Sequence, residues 1–439
     1  MPSRTGLARF LDRLRVNKDS SSGRNGKLQG PLYPSAHTEG SGDDRLKHVA
    51  LPHLAQELID HIIDCLRYDA TTLRALTTVS RSWSARSSHN LLQRVYVQHR
   101  LMSRFAKAIA QPASRVLAHM THLCIDRSPA ALLKGSLVDD GEPRTIDLSP
   151  LLPALFALAP RLARLEIWGV AWHTELVLWP KDALHAGRWD IDFPGTLQLV
   201  GIDGAHVGVL LQQFRRIGNL YLDRILVQQD LPSELLTRSQ HLSVDIIDIK
   251  DSMLVLELIE PLMERSTLSE LRATVDRTDT RQEVAALNEF IGAVGSGLNC
   301  FCLRRDDYTV WKVDRLPEDC LVSLKTCLKL HTVMLQYWQE EDWDFIVHRA
   351  LAHMPPVLHG GVWIDLDYRG LSSFTQQILD QDWSPLIHNL DRSAGLLGIA
   401  FNIESTWTWE ERGKQRVLAK LPDRYKKMAR ISNGPSLVR

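Results

Sequence analysis

Net charge is the first thing this 439-residue sequence lacks: 52 Lys plus Arg balance 52 Asp plus Glu. No global field therefore draws nucleic acid or an anionic membrane, and the reading is a chain with neither partner. Uninterrupted apolar runs of the roughly 20 residues that cross a bilayer are also missing, because Pro153, Pro160 and charges break the best candidates. Cysteine is sparse: Cys65, Cys124, Cys300, Cys302, Cys320 and Cys327 sit mostly in apolar runs, as reduced core thiols do in a cytoplasmic or nuclear protein. No nucleotide loop of the Walker or dinucleotide type occurs.

Catalytic constellations are missing too. "LHGGVW", His359 to Trp363, has the His-Gly-Gly turn of some esterases, but no Gly-x-Ser-x-Gly elbow accompanies it. "GAVGSG" reads as the glycine-rich end of the helix before it. Cys300 and Cys302 share one strand face without a second ligand pair, so they are expected in the core. His119 and His122, three apart, and the alternating Asp365 and Asp367 are equally incomplete as metal sites. The expectation is no enzyme, no cofactor and no metal.

What is present is alternation. Residues 17–44 hold almost no large apolar side chain and cannot offset the entropy of ordering, so 1–46 reads as a disordered lead. Its first residues, "MPSRTGLARFLDRLRVNK", put Leu7, Phe10, Leu11 and Leu14 on one face among arginines, as a mitochondrial presequence would, although Asp12 argues against that. Residues 47–98 are helical by periodicity: Leu58, Ile59, Ile62, Ile63 and Leu66 form one stripe, and Leu73, Leu76 and Val79 a second that Thr71 or Thr72 caps. "SRSWSARSSHNLLQRV" is a third helix running into the strand-like Val95 to Val97.

Over 99–410, strand-like windows recur from "HLCID" and "LARLEIWGV" through "LQLVGID", "NLYLDRILV", "HLSVDIIDI", "LSELRATV", "LNCFCLRR", "LHTVMLQYW" and "GVWIDLDY" to "LLGIAFNIES". Helical windows lie between them at 148–162, 204–217, 252–265, 281–294, 317–328 and 342–354. The spacing drifts between roughly 22 and 42 residues, near that of leucine-rich repeats. The expected fold class is α/β: a helical N-terminal unit followed by a solenoid of stacked αβ repeats, with a doubly wound enzyme fold as the rival. Residues 411–439 read as a basic tail whose 411–430 stretch is a solvated end cap on the solenoid, and Trp338, Trp343 and Trp409 as candidate partner anchors.

The first helices carry a resemblance. "LAQELIDHIIDCLRYDATTLRALTTVSRSW", within 51–92, resembles the F-box of large fungal families, through Glu57-Leu58-Ile59 and Ser80-Arg81-Ser82-Trp83 at the family's distance. The family's Leu-Pro is Leu54-Ala55 here, with Leu51-Pro52 three residues earlier, a displacement that implies a loosened N-terminal contact. The resemblance implies a substrate receptor of a cullin-type ubiquitin ligase, docking on a Skp-type adaptor and through it on a cullin, with the repeats holding a protein substrate. It implies adaptor-facing or shared-core roles for Leu54, Leu58, Ile62, Ile63 and Leu66. Leu73, Leu76 and Val79 on the second helix and Trp83 near the third join them. The alternative is a non-catalytic scaffold with no ligase link.

Overall fold

In a computed structural model, the structure describes residues 55–98, 101–109, 111, 116–126, 155–157, 159–169, 190–227, 242–275, 281–305, 322–337, 353–355, 357–367, 381–393, 395–404 and 411–432. The expected disordered lead, Leu54, and Trp338, Trp343 and Trp409 lie outside them. The fold is α/β. Three helices open it, α1 (Gln56–Cys65), α2 (Ala70–Val79) and α3 (Arg81–Gln93). Twelve strands follow: β1 (Arg94–Gln98), β2 (His122–Asp126), β3 (Arg164–Trp168), β4 (Ile191–Val200), β5 (Phe214–Asp223), β6 (Ser243–Lys250), β7 (Glu270–Val275), β8 (Cys300–Arg305), β9 (Thr332–Tyr337), β10 (Gly361–Asp367), β11 (Gly398–Glu404) and β12 (Ala429–Ser432).

All twelve make one parallel sheet in which each strand pairs with the next in the chain. The order never reverses, so the described sheet has no switch-point crevice of the doubly wound kind. Strand alternation explains the register. Val95, Leu123, Leu165, Leu197, Leu220, Ile247, Leu271, Phe301, Val333, Val362 and Ile399 stand opposite one another from strand to strand and all are buried. A second buried row runs two residues further on, from Val97 through Ile167, Leu222 and Ala273 to Leu335. A one-residue slip in any strand would turn both of its members to water, which fixes the register.

The turns leaving the strands stack as well. Gly201, Arg224 and Asp251 each follow β4, β5 and β6 directly, with φ of 63°, 52° and 50°. The Gly201 N–H donates to the Asp223 carbonyl at 2.8 Å and the Arg224 N–H to the Lys250 carbonyl at 3.0 Å, so the sheet ladder continues into the turns. After β4 and β6 the chain continues into α6 (Gly204–Leu211) and α7 (Val255–Ile259), and β7 is followed by α8 (Arg281–Val294). Before them lie α4 (Met102–Ile109) and α5 (Val116–His119), and after them α9 (Ser384–Asp391), α10 (Glu411–Lys420) and α11 (Asp423–Lys426).

Several sequence expectations change. The 204–217 window is not one helix, because α6 stops at Leu211 and Phe214 starts β5, its ring meeting Phe156 at 5.5 Å. In 252–265, α7 gives way to a 3-10 turn at Glu260–Leu262, where Pro261 supplies no N–H for an α-helical bond. Residues 322–328 form turns, not a helix; in the window at 148–162 residues 155–157 are helical, and the window at 342–354 lies largely outside the described residues. The sheet extends beyond 99–410 at both ends, since β1 and β12 belong to it. The basic stretch from 411 is part of the folded body: Val417, Leu421 and Tyr425 are buried, and Arg424 and Tyr425 both donate to Asp391.

Candidate functional site

The N-terminal helices form a small core of their own. Ile59, Ile63 and Leu73 are buried together, with Leu66, Leu76, Trp83 and Leu91 packed against them. Asp69, not Thr71 or Thr72, caps α2, its carboxylate accepting from both threonine N–H groups at 3.1 and 3.0 Å. Ser80 caps α3 through the Trp83 N–H at 3.3 Å, whereas Ala55 gives α1 no side-chain cap. Arg86 on α3 clamps α1, with Nε 2.7 Å and Nη2 2.5 Å from the two Asp64 oxygens, and Asn90 adds a bond at 3.0 Å. The Arg86 hydrogen bond, outweighing burial and joined by Asn90, holds the Asp64 carboxyl down at about 2.

The residues implied as adaptor contacts divide into two groups. Ile63 and Leu73 are wholly buried, and Leu66, Leu76 and Trp83 line the same interior. Leu58, Ile62 and Val79 face outward, exposed by 54%, 42% and 63%. Leu58 and Ile62 lie one turn apart on α1, so that helix is apolar on its buried face and on a solvent-facing stripe beside it. Leu54 is outside the described residues.

A second surface is the sheet face turned away from the core. Arg164 Nε pairs with the Glu166 carboxylate at 2.6 Å, His122 Nε2 stands 3.1 Å from the same group, and Trp168 Nε1 donates to it at 3.1 Å. Burial raises the Glu166 pKa, but the His122 hydrogen bond and the Arg164 charge outweigh it and leave the group at about 2. Further along, Asp248 lies 3.1 Å from Arg304 and 3.9 Å from Arg272, which also donates to Glu270 at 2.5 Å. Burial nevertheless pushes Asp248 up, against both arginines. Tyr96 and Trp168, each 38% exposed, are the half-open aromatics of this face, and Trp363 stands in register with Met334 and Ala400 beyond the charges.

Cys302 is wholly buried, as expected, and Cys300 only partly; both lie on this polar face, in register with Arg272 and Glu270 and outside the main apolar cluster. Burial pushes their pKa values up to about 12 and about 11, so both thiols stay protonated at neutral pH and are poor nucleophiles. His119 and His122 do not act together, since His122 meets Glu166 while His119 meets His89. Among the described residues no group of three or more His, Cys, Asp or Glu is arranged to hold a metal, and no helix is long and apolar enough to cross a membrane. The ion-pair networks escaped the sequence reading, yet a signal existed: Arg164-x-Glu166 and Glu270-x-Arg272 put opposite charges two apart on one strand face. No family model and no curated protein matches the sequence.

Proposed function

We propose that the chain is the substrate receptor of a cullin-type ubiquitin ligase, in which α1–α3 form an F-box-like unit that docks on a Skp-type adaptor. In this reading the sheet and its helices are an irregular leucine-rich-repeat-like solenoid whose polar face takes a protein substrate, and the chain itself catalyses nothing. The gain it gives is proximity, a raised effective concentration of substrate at the ubiquitin-loaded enzyme. The observation that carries the reading is the exposure of Leu58 and Ile62 on α1 beside a core already closed by Ile59, Ile63 and Leu73. Apolar side chains that a small helical core leaves in water, one turn apart, are the anchors of a helix-in-groove contact. The strictly sequential strand order supports the solenoid half of the reading.

The test is co-expression of the full chain with a Skp-type adaptor and size-exclusion chromatography, comparing wild type with Leu58→Asp plus Ile62→Asp. Both residues are exposed, so the double change is expected to alter stability by no more than about 1 kcal/mol while abolishing co-elution. Ile63→Ala is the contrasting variant: it opens a cavity in the helical core and is expected to cost about 2–4 kcal/mol. A wild type that elutes alone and well folded would withdraw the ligase reading and leave a non-catalytic scaffold.

A further inference from the structure

α3 runs into β1 without an intervening residue, Gln93 ending one and Arg94 beginning the other, so the orientation of the helical unit on the sheet is set where the last turn of α3 is held. Leu92 anchors it in the apolar core of the sheet, and two polar contacts set its position. The Gln93 carbonyl accepts from the N–H and the hydroxyl of Thr121, at 3.0 and 3.1 Å. One turn back, His89 Nδ1 meets His119 Nδ1 at 3.2 Å, the two part-buried rings lying edge to face with centroids 5.1 Å apart. We infer that the His89–His119 contact is a pH-sensitive latch between the helical unit and the sheet, closed at neutral pH and opened by acid.

A hydrogen bond between two ring nitrogens needs one N–H and one lone pair. Gln93, 2.8 Å from His89 Nε2, selects the tautomer, and in either orientation of its amide one Nδ1 donates and the other accepts. One added proton is accommodated by exchanging those roles. A second leaves two cationic N–H groups facing each other, which ends the bond. The surroundings sharpen this. Arg86 from α3 and Arg161 from the turn before β3 oppose a positive charge on His89, while Asp64 from α1 favours it but is already engaged by Arg86; His122 from β2 is turned to Glu166. Burial, then the His119 charge, pushes His89 below its ordinary value. The sign follows: a histidine depressed in the folded state contributes stability that is complete above its unfolded value near 6.5 and is lost as pH falls below it.

Neither the Thr121 bonds to Gln93 nor the buried Leu92 beside it contains a group that titrates in this range, so acid releases α3 at His89 and leaves a pivot at Leu92 and Gln93. The latch is independent of the adaptor reading, and only its consequence, an altered angle between adaptor and substrate surfaces, rests on it. The test is amide hydrogen exchange on the full chain at about pH 7.5 and about pH 5.5, corrected for intrinsic rates, in wild type, His119→Gln and His89→Gln. Wild type is expected to gain exchange in the last two turns of α3 by roughly threefold or more at the lower pH, with β4–β8 unchanged, and each glutamine variant to lose that pH dependence. Absence of the gain in wild type, its persistence in a variant whose circular dichroism at neutral pH is native, or an equal gain across the whole chain would each overturn the latch.

Discussion

Glu166 shows what a single strand position carries on the polar face. Its side chain is 10% exposed, pairs with Arg164 and takes a hydrogen bond from Trp168, with His122 against the same carboxylate. Because its folded pKa is about 2 against 4.5 for the free group, the carboxylate contributes stability that is complete above about pH 4.5 and is lost as pH falls toward 2. Glu166→Gln should therefore lower unfolding free energy by about 1–2 kcal/mol at neutral pH, below the full linkage value because solvent reaches the surrounding pairs. Denaturant unfolding at a series of pH values checks it, and the gap between wild type and variant should narrow steadily as pH drops from 5 to 3. A gap that stays constant would mean that shape, not charge, fixes the cost. The two-residue spacing of these opposed charges was legible in the sequence. Their burial was not, because it depends on which strands stand beside β3.

The strands were the most legible elements, and the turns between them explain what was not. Each strand window names a pair of apolar residues two apart, and β2 to β11 each overlap one, although β4 and β5 begin five or six residues before theirs; β12, "ARIS" in a basic stretch, offers only Ile431 and was invisible. Helices were harder. In α6, Val207, Val209, Leu210 and Leu211 are all buried, so no polar stripe marks where the helix ends and β5 begins. The stacked turns add a testable asymmetry. Gly201 sits at φ 63°, and although the nearest backbone atom to an added Cβ is 3.4 Å away, an L side chain strains that backbone. Gly201→Ala should cost about 1 kcal/mol, whereas Arg224→Gly, at the equivalent place after β5, should be neutral or slightly stabilising. Thermal unfolding of the two variants decides it, and equal losses would show that the turn hydrogen bonds, not the left-handed backbone, dominate there.

At the scale of the whole molecule, the sequential order of the sheet means that each inner strand is paired only with its two neighbours in the chain. Chain-order alternation made an αβ array legible before the structure. The absence of any reversal in strand order needed the structure, since a doubly wound sheet alternates in the same way. This order has an energetic consequence. Leu220 on β5 and Ile399 on β11 are both buried and both belong to the same apolar row, so removing either side chain should cost a similar amount, about 2–4 kcal/mol. The damage should spread differently. β11 has only β12 beyond it, held by Ala429 to Ser432, so Ile399→Ala should release a terminal piece while β4–β8 keep their protection. Leu220→Ala strikes between two long paired segments, β4 on one side and β6 on the other, and neither can open without breaking its partner ladder. Native-state hydrogen exchange should show loss confined to 398–432 in the first variant and a lowered ceiling on both sides of β5 in the second. If Ile399→Ala instead lowered protection uniformly from β1 to β12, the sheet would unfold as one cooperative unit, and nearest-neighbour energetics would be the wrong description of this fold.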